Sequence, residues 1–194
     1  MKVALVLNGP PRSGKDEAGK QMAEKGAAVD KFAEPIRAML RAVFGLSDEE
    51  IERLKGRRSV PYRDTYLEID GGTLRDVMID FSEGFMKKWF GEDVFGKMLA
   101  ERIKSSDSTF HAITDGGFVS EMNPLVDALG KDNVFVIHLR RPGCTFDGDS
   151  RNYVRLPGNM KFVKNDGSLE EFRTKIDKTL KEVEDEVSRR CKVC

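Results

Sequence analysis

The feature that most constrains this chain is an apolar run near its start that ends in glycine. Residues 3–9 read VALVLNG, without the alternation of apolar and polar positions that marks a half-exposed strand. A continuous run of this kind is typical of a central parallel strand buried on both faces. Helical spacing follows from Gly14 to about Gly26, and AAVDKF at 27–32 indicates a second short strand. Strand, loop, helix and strand form a βαβ unit, which predicts a parallel sheet.

The remainder of the 194 residues repeats this alternation. Further strands are predicted at TFHAIT, NVFVIHL and KFVKN. Helices are predicted from Pro35 to about Gly45, from Ser47 to Gly56, over 73–89 and 92–104, around Met122 to Leu129, and from Ser168 onward. Capping boxes are predicted at Ser47 with Glu50 and at Ser168 with Glu171. The sequence therefore predicts one α/β domain over 1–194, with ligands at the carboxyl ends of its parallel strands.

The loop after the first strand has the spacing of a phosphate-binding loop. Residues 9–16 read GPPRSGKD, a G-x-x-x-x-G-K pattern between a buried strand and a helix. Glycines let successive backbone amides converge on phosphate oxygens, and Lys15 can bridge the outer phosphates of ATP. The residues predicted to contact the nucleotide here are Gly9, Arg12, Ser13, Gly14, Lys15 and Asp16.

Asp16 departs from that pattern, because serine or threonine normally offers a hydroxyl to magnesium at this position. A carboxylate can hold Mg²⁺ directly or through water, and it can also simply complement the helix dipole. Asp30 and Asp115 follow predicted strands, so both are expected in the crevice beside Lys15. We assign Asp115 to the metal and Asp30 to a general base, although an aspartate at a strand end can merely cap the next turn.

Arginines recur in the glycine- and proline-broken segment RRPGCTFDGDSRNYVRLPG at about 140–158. They are Arg140, Arg141, Arg151 and Arg155. This segment is predicted to be a small lid whose arginines neutralise a transferring phosphoryl group, with Arg140, Arg141 and Arg151 as the catalytic candidates. A solvated basic loop is the alternative, and the sequence does not single out which arginine acts. The polar stretch GRRSVPYRDTYLEIDGG at 56–72 is predicted to be a surface loop that can also reach over a ligand.

The composition of the chain limits the classes of partner that the protein is expected to bind. Basic and acidic residues number 33 each, so bulk charge predicts no strong attraction to nucleic acid. No apolar run is long enough to span a bilayer, and three cysteines are too few for a disulfide framework. We therefore expect a soluble, cytoplasmic protein with no membrane partner and with Cys191 and Cys194 as reduced thiols. His111 and His138 lie in strand-like runs and are predicted to be structural.

Several segments together resemble one known family over most of the chain. They are GPPRSGKD, FAEPIRAML, FGEDVFG, ITDGGFVSEM, VIHLRRPG and FVKNDGSLEEF. The chain resembles the phage-type deoxynucleoside monophosphate kinases, a branch of the P-loop kinases, which implies the cytoplasm of a phage-infected host. The resemblance implies that Asn165 to Gly167 flank the adenine of ATP and that Phe32 and Pro35 line the acceptor pocket. An acceptor-side insertion is then expected at about 46–90.

Two departures from that family bear on the acceptor. The family tends to carry D-x-R where this chain has Asp115-Gly116-Gly117, and GDSRNYV stands in place of its histidine-containing lid motif. An arginine that could clamp an acceptor phosphate is therefore missing, which favours an alcohol acceptor. FGEDVFG and GDSRNYV are similar to the branch that phosphorylates the hydroxymethyl group of 5-hydroxymethyl-deoxyuridine within DNA. Such a base would be flipped out and stacked on aromatic residues such as Phe32, Tyr62 or Tyr66.

Three other functions stay open at this point. A deoxynucleoside monophosphate kinase would pair its acceptor phosphate with Arg37, Arg75 or the lid arginines. Phosphomevalonate kinase also has a phosphate loop that ends in Lys-Asp. A nucleotide-binding switch or packaging accessory would hydrolyse ATP slowly under a partner's stimulation, and the arginine-rich segment disfavours it. The sequence also leaves open whether the protein is a monomer or a homodimer.

Overall fold

The computed structural model of the protein describes residues 1–156 and 159–191, with the side chain of Cys191 left out. The predicted lid residues Pro157 and Gly158 and the tail residue Cys194 lie outside this part of the chain. The chain divides into two compact units. Unit 1 comprises Met1–Phe32 and Gly96–Cys194, and unit 2 comprises Ala33–Phe95.

The described strands are β1 Val3–Asn8, β2 Ala28–Asp30, β3 Ser59–Tyr62, β4 Thr65–Glu68, β5 Phe110–Gly116, β6 Val134–Arg140 and β7 Met160–Lys164. The described α-helices are α1 Lys15–Glu24, α2 Glu34–Phe44, α3 Asp48–Leu54, α4 Leu74–Ile79, α5 Lys88–Phe90, α6 Val94–Ser105, α7 Val119–Leu129 and α8 Leu169–Cys191. A π-helix spans Asp80–Lys87, and a 3-10 turn spans Lys131–Asn133.

Unit 1 is built on a five-stranded sheet in the order β2-β5-β1-β6-β7. All four strand pairs in it are parallel, with Ala4 opposite His111 on one side and Val134 on the other. The central strand β1 is buried at all six positions, as its unbroken apolar run predicts. The predicted α/β architecture, a parallel sheet flanked by helices, is confirmed. Because the strands are parallel, their carboxyl ends share one edge, and the chain leaves that edge after Asn8, Asp30, Gly116, Arg140 and Lys164.

One face of this sheet packs on α1 and α8. A core cluster joins Val3, Leu5 and Leu7 of β1 to apolar residues of both helices, among them Met22 and Phe172. The helix α8 begins at its predicted capping box, in which Ser168 N donates to Glu171 Oε2 over 2.7 Å and Glu171 N donates to Ser168 Oγ over 3.2 Å. Fixing the start of α8 also fixes the loop 165–167 that precedes it.

Unit 2 has its own core beneath a β-hairpin. Its buried residues are Leu40, Leu46, Ile51, Leu54, Val60 and Leu74. The predicted cap at Ser47 and Glu50 is present. The prediction of a surface loop over 56–72 is wrong for the middle of that range, because β3 and β4 pair antiparallel there. Val60 is buried in the core and Arg63 takes a left-handed φ of 54° in the two-residue turn, so a hairpin forms without the glycine or asparagine that usually signals one.

The helix predicted over 73–89 is interrupted by the π-helix, which has one extra residue per turn. Its last residue, Lys87, is buried and pairs with Glu83 at 2.7 Å. No helix among the described residues has both the length and the apolar composition needed to cross a lipid bilayer.

Candidate active site

The loop between β1 and α1 folds back on itself through two left-handed residues. Arg12 has a φ of 63° and Gly14 a φ of 105°, and Ser13 N donates to Pro10 O over 3.2 Å. A Cβ on Gly9 would come within 2.6 Å of Leu139 O, and one on Gly14 within 2.8 Å of Asn165 Nδ2. Glycine is therefore required at both ends of the loop by the close approach of other chain segments.

Lys15 lies across the mouth of this loop. Its ammonium donates to Gly9 O over 2.6 Å and to Pro10 O over 2.8 Å. Burial, followed by the nearby guanidinium of Arg151, lowers the pKa of Lys15 from 10.5 to about 8, against the opposing effect of Asp16, Asp149 and Asp115. An anion bound in the loop would favour the charged ammonium, so Lys15 is placed to respond to phosphate.

The phosphate loop also contains a buried hydroxyl without a partner. Ser13 is fully buried, and its Oγ has no hydrogen-bond partner among the described residues. Buried hydroxyls are nearly always paired, so this atom fits a site completed by a ligand oxygen. The loop is held from outside as well, since Asn165 Nδ2 donates to Ser13 O over 3.0 Å and Arg141 Nη1 to Arg12 O over 3.2 Å.

The two predicted metal ligands occupy different surroundings. Asp16 lies in the first turn of α1 with a side chain that is 78% exposed, and Lys31 Nζ lies 3.2 Å from its Oδ1. Asp115 lies within β5, not after it as predicted, because β5 extends until Gly116 pairs with Asn8. Its Oδ1 accepts the N–H of Phe32 over 2.8 Å. Both carboxylates influence the pKa of Lys15, so both fit beside a bound phosphate.

Magnesium in phosphate sites is usually held by one or two carboxylates together with phosphate oxygens and water. Within residues 1–156 and 159–191, no three His, Cys, Asp or Glu side chains converge as a metal cage. The carboxylates of Asp16 and Asp115 suit an ion that arrives with the nucleotide.

Asp30, the predicted base, is held in an ion pair. Its carboxylate accepts from Arg102 Nε over 3.1 Å and Nη2 over 3.0 Å, and from Lys31 N over 2.7 Å. The same guanidinium donates to Lys31 O over 2.6 Å, so Arg102 joins α6 to the end of β2. Sequence reasoning missed Arg102, because nothing in the spacing of α6 relates it to a residue 72 positions earlier.

Arg151 covers the position where the family pattern would place an arginine. Its side-chain carbons lie over Gly117, where an added Cβ would come within 2.5 Å of Arg151 Cγ. Its guanidinium is paired with Asp149, through Nε at 2.9 Å and Nη2 at 2.6 Å. Since Arg151 also lowers the pKa of Lys15, its charge acts at the phosphate loop.

A buried amide fixes the segment that carries Arg151. Asn8 Nδ2 donates to Gly116 O over 2.9 Å and to Asn152 O over 3.0 Å, while Asn8 Oδ1 accepts from Val154 N over 2.8 Å. This part of the predicted lid is therefore tied to the ends of β1 and β5. Sequence reasoning missed Asn8, and the available signal was a polar residue closing an otherwise apolar strand at the edge where ligands bind.

A cavity of about 380 Å³ lies beside the loop that follows β7. It is lined by Arg140, Arg141, Pro142, Cys144, Tyr153, Lys164 and Asp166. The guanidinium of Arg140 stacks over the rings of Phe162, at 5.3 Å, and Tyr153, at 5.8 Å. This cavity adjoins the loop predicted to flank adenine. Gly167, the last residue of that loop, lies against the capping carboxylate of Glu171.

The four predicted acceptor residues fall in both units. Phe32 belongs to unit 1 and is 2% exposed, whereas Pro35, Arg37 and Arg75 belong to unit 2. Pro35 lies in the first turn of α2, and Arg75 is exposed. Their roles in acceptor binding stay predictions.

Arg37 is already neutralised within unit 2. It is buried, and its guanidinium donates to Asp48 Oδ1 over 3.0 Å and to Glu52 Oε1 over 2.6 Å. Its position is therefore explained by packing and ion pairing within its own unit.

No protein-family model and no curated protein sequence matches the chain. Among solved structures, a gluconokinase from Sinorhizobium meliloti 1021 is 12% identical, with 97% of each chain covered and a TM-score of 0.52. A dephospho-CoA kinase from Campylobacter jejuni is 14% identical, covering 94% of this chain and 98% of its own, with a TM-score of 0.49. An APS kinase from Mycobacterium tuberculosis, in complex with AMPPNP and APS, is 15% identical, covering 93% and 98%, with a TM-score of 0.48. The likeness to the gluconokinase, together with the phosphate loop, shows that this chain has the α/β fold of the P-loop kinases.

Proposed function

We propose that this protein is an ATP-dependent phosphotransferase. The observation that carries the proposal is the phosphate loop, in which Lys15 Nζ lies 2.6 Å and 2.8 Å from two loop carbonyls. The unpartnered Oγ of Ser13 lies in the same loop. Backbone amides at a helix N-terminus and a lysine over them form an arrangement that binds the β- and γ-phosphates of a nucleotide.

The adenine of ATP is proposed to occupy the cavity of about 380 Å³, between Arg141 and the loop from Asn165 to Gly167. The hydrogen bonds of Asn165 and Arg141 to the phosphate loop connect that cavity to the phosphate site. Magnesium, held by Asp16, Asp115 and the phosphates, would neutralise charge on the phosphate oxygens. Lys15 and Arg151 add positive charge in the same place, with Arg140 and Arg141 as further candidates.

In the transfer, an acceptor hydroxyl oxygen forms a bond to the γ-phosphorus while the bond to the bridging β–γ oxygen breaks, leaving ADP. The hydroxyl proton passes to a carboxylate, and Asp30 is proposed as that base. Its ion pair with Arg102 gives the proposal a specific test.

We further propose that the acceptor is the hydroxymethyl group of 5-hydroxymethyl-deoxyuridine in phage DNA, within the cytoplasm of the infected host. An alcohol brings no dianion that must be paired, and two observations support such an acceptor. Glycine stands at position 117, where a clamping arginine is expected, and Arg37 is already paired with Asp48 and Glu52. A buried arginine with two carboxylate partners has little remaining charge to offer a monophosphate.

A deoxynucleoside monophosphate kinase is the second candidate. The exposed side chain of Arg75 supports it, because a solvent-facing guanidinium can still pair with an acceptor phosphate. A nucleotide-dependent switch without a small acceptor is a more distant third.

The test supplies γ-labelled ATP and magnesium with parallel acceptors. These are DNA containing hydroxymethyluracil, the same DNA with thymine, each deoxynucleoside monophosphate, and water alone. We expect label only in the hydroxymethyluracil DNA, with Lys15→Ala protein as the control for contaminating kinases. Label only in monophosphates would overturn the DNA acceptor and leave the phosphotransferase. ATP binding without transfer, and with hydrolysis only, would instead favour the switch.

A further inference from the structure

A second cavity, of about 430 Å³, lies in unit 1 beside Arg140 and Tyr153. It is lined by His138, Arg140, Tyr153, Arg155, Leu156, Met160 and Phe162. Arg140 and Tyr153 also line the cavity proposed for adenine, so these two side chains form a wall between the cavities. The proposed transfer reaction makes no use of the second cavity.

His138 gives this cavity an unpartnered hydrogen-bond acceptor. The residue is 3% exposed, and its Nε2 lies 2.7 Å from the carbonyl oxygen of Val154. A carbonyl can only accept, so Nε2 carries the hydrogen. Burial lowers the pKa of His138, against the hydrogen bond to Val154 that raises it, and the charges of Arg140 and Arg155 lower it further. This favours the neutral ring, in which Nδ1 bears a lone pair. Among the described residues, no donor reaches that Nδ1.

The cavity is also cationic. Arg140 and Arg155 are both exposed, and within the described part of the chain neither guanidinium forms an ion pair. The lining residues that the structure describes include no acidic side chain. Two uncompensated guanidinium groups at one cavity favour an anionic ligand, and above all phosphate, which they can bind with two parallel hydrogen bonds.

An aromatic platform completes the lining. Phe162 on the edge strand β7 is 61% exposed, which is unusual for a phenylalanine. The His138 ring meets it edge-on at 5.3 Å, and Arg140 lies over it. An exposed ring held in place by its neighbours can stack on a flat heteroaromatic ligand.

We propose that this cavity is a second nucleotide-binding site, in which a base stacks on Phe162 and donates an N–H to His138 Nδ1, while its phosphate pairs with Arg140 and Arg155. A cavity of this size falls within the range of small-molecule sites. Nδ1 of His138 is buried, so its hydrogen bond to a base requires the flexible side chain of Met160 in the cavity lining to shift. Inorganic phosphate would leave the platform and the acceptor unused, which is why a nucleotide fits better. The proposal does not depend on the phosphotransferase activity.

The two histidines of the chain make a direct test possible. We would label them with ¹⁵N, in protein without a histidine tag, and follow the ring nitrogens by NMR during titration with dAMP. A hydrogen bond to the bare Nδ1 of His138 is expected to shift that nitrogen strongly, while its Nε2 and the ring of His111 stay near their starting values. Saturation with dAMP without any change at Nδ1 would overturn the proposal.

Matched ligands separate the contacts. N6,N6-dimethyl-dAMP retains the ring and the phosphate but lacks the amino hydrogens, so it should leave Nδ1 unshifted and bind more weakly. Deoxyribose 5-phosphate, which has no base, should bind more weakly still. Single-stranded oligo(dA) compared with dAMP distinguishes a strand from a free nucleotide. Binding of either ligand supports the site, and the tighter binder shows whether a strand or a free nucleotide occupies it. If neither ligand binds, the proposal is refuted.

Substitutions in the cavity lining test whether dAMP binds at this cavity. Arg155→Ser should weaken dAMP binding about tenfold, as for loss of one charge-assisted contact, and Phe162→Leu by about fivefold to tenfold through lost stacking. Arg53→Ser, at an exposed arginine in unit 2, is the control. In Lys15→Ala protein dAMP binding should persist within about twofold, which separates this site from the phosphate loop. Equal affinity in the Arg155 and control variants would contradict the proposal, as would Nδ1 shifts that depend on protein concentration alone, since a second copy would then cover Phe162.

Discussion

The phosphate loop and the arginine-bearing segment that faces it reach the same ligand site by different means. The loop is made of backbone, with Arg12 and Gly14 in left-handed conformations and Lys15 bonded to its own loop carbonyls. The segment over 140–156 is held by the amide of Asn8, which is distant in sequence, while within the segment the carboxylate of Asp149 pairs with Arg151. Local chemistry therefore determines the conformation of the loop, whereas the position of the segment that carries Arg151 depends on the folded sheet.

The largest expected effect comes from the loop itself. Lys15→Ala should cost about 3 kcal/mol or more of transition-state stabilisation, since the ammonium is the main preorganised charge over the outer phosphates. The measurement is kcat/KM for phosphoryl transfer, with Lys20→Ala, an exposed lysine of α1, as the matched control. Equal rates in the two variants would remove Lys15 from the mechanism.

The ion pair at Asp30 gives the next largest effect. If Asp30 is the base, Asp30→Asn should lower kcat by about a hundredfold or more, as for loss of general base catalysis, with ATP binding unchanged. Arg102→Gln removes the guanidinium but keeps the carboxylate, so transfer should survive in this variant.

If Asp30 serves only to hold Arg102, the two variants should lose activity and stability equally, and their effects should not add in the double variant. That outcome would reassign Asp30 to a structural role.

Breaking the attachment of the arginine segment should have a smaller effect, mainly on stability. Asn8→Ala removes three hydrogen bonds of a fully buried amide, which should lower the free energy of unfolding by about 2–3 kcal/mol. It should also lower kcat, because Arg151 loses its fixed position. Urea unfolding and steady-state kinetics measure both. Asn152→Ala is the control, since among the described residues its exposed side chain forms one hydrogen bond, accepted from Tyr153 N, and similar losses in both variants would contradict the argument.

Lys15 also predicts a pH dependence of ATP binding. Because the pKa of Lys15 in the free protein is about 8, its side chain is mostly protonated below pH 8 and loses its charge as the pH rises through 8. Bound phosphate favours the charged form, so ATP affinity should be constant below pH 8 and fall by up to about tenfold per unit above it, with proton uptake on binding.

Calorimetry in two buffers of different ionisation enthalpy measures that uptake. Arg151→Gln should move the fall to higher pH, because the Arg151 cation lowers the pKa of Lys15. In Lys15→Arg protein the loss of ATP affinity above pH 8 should vanish. If the loss persists in that variant, a group other than Lys15 causes it.

The smallest effect tests the adenine cavity. Cys144 is half-buried in its lining, so ATP should slow alkylation of Cys144 severalfold in a Cys191→Ser, Cys194→Ser background. Unchanged alkylation under saturating ATP would exclude adenine from this cavity.

The fold was predictable where the signal is local. The buried strand β1, the phosphate loop, the helix caps at Ser47 and Ser168, and the parallel sheet all follow from short segments, because hydrophobic runs and caps act within a few residues. The hairpin at 59–68 was missed because Arg63 adopts a left-handed conformation that glycine normally signals. Asn8 and Arg102 were missed because their partners lie far away in sequence.

By itself, the sequence determined that a phosphate-binding turn joins a buried strand to a helix, since glycine spacing and an apolar run act through the backbone alone. The tertiary structure decided which charged side chains form ion pairs with each other. It paired Asp30 with Arg102, and Arg37 with Asp48 and Glu52. Side-chain pairing depends on which elements meet in space, and a single sequence carries that information only through the fold it forms.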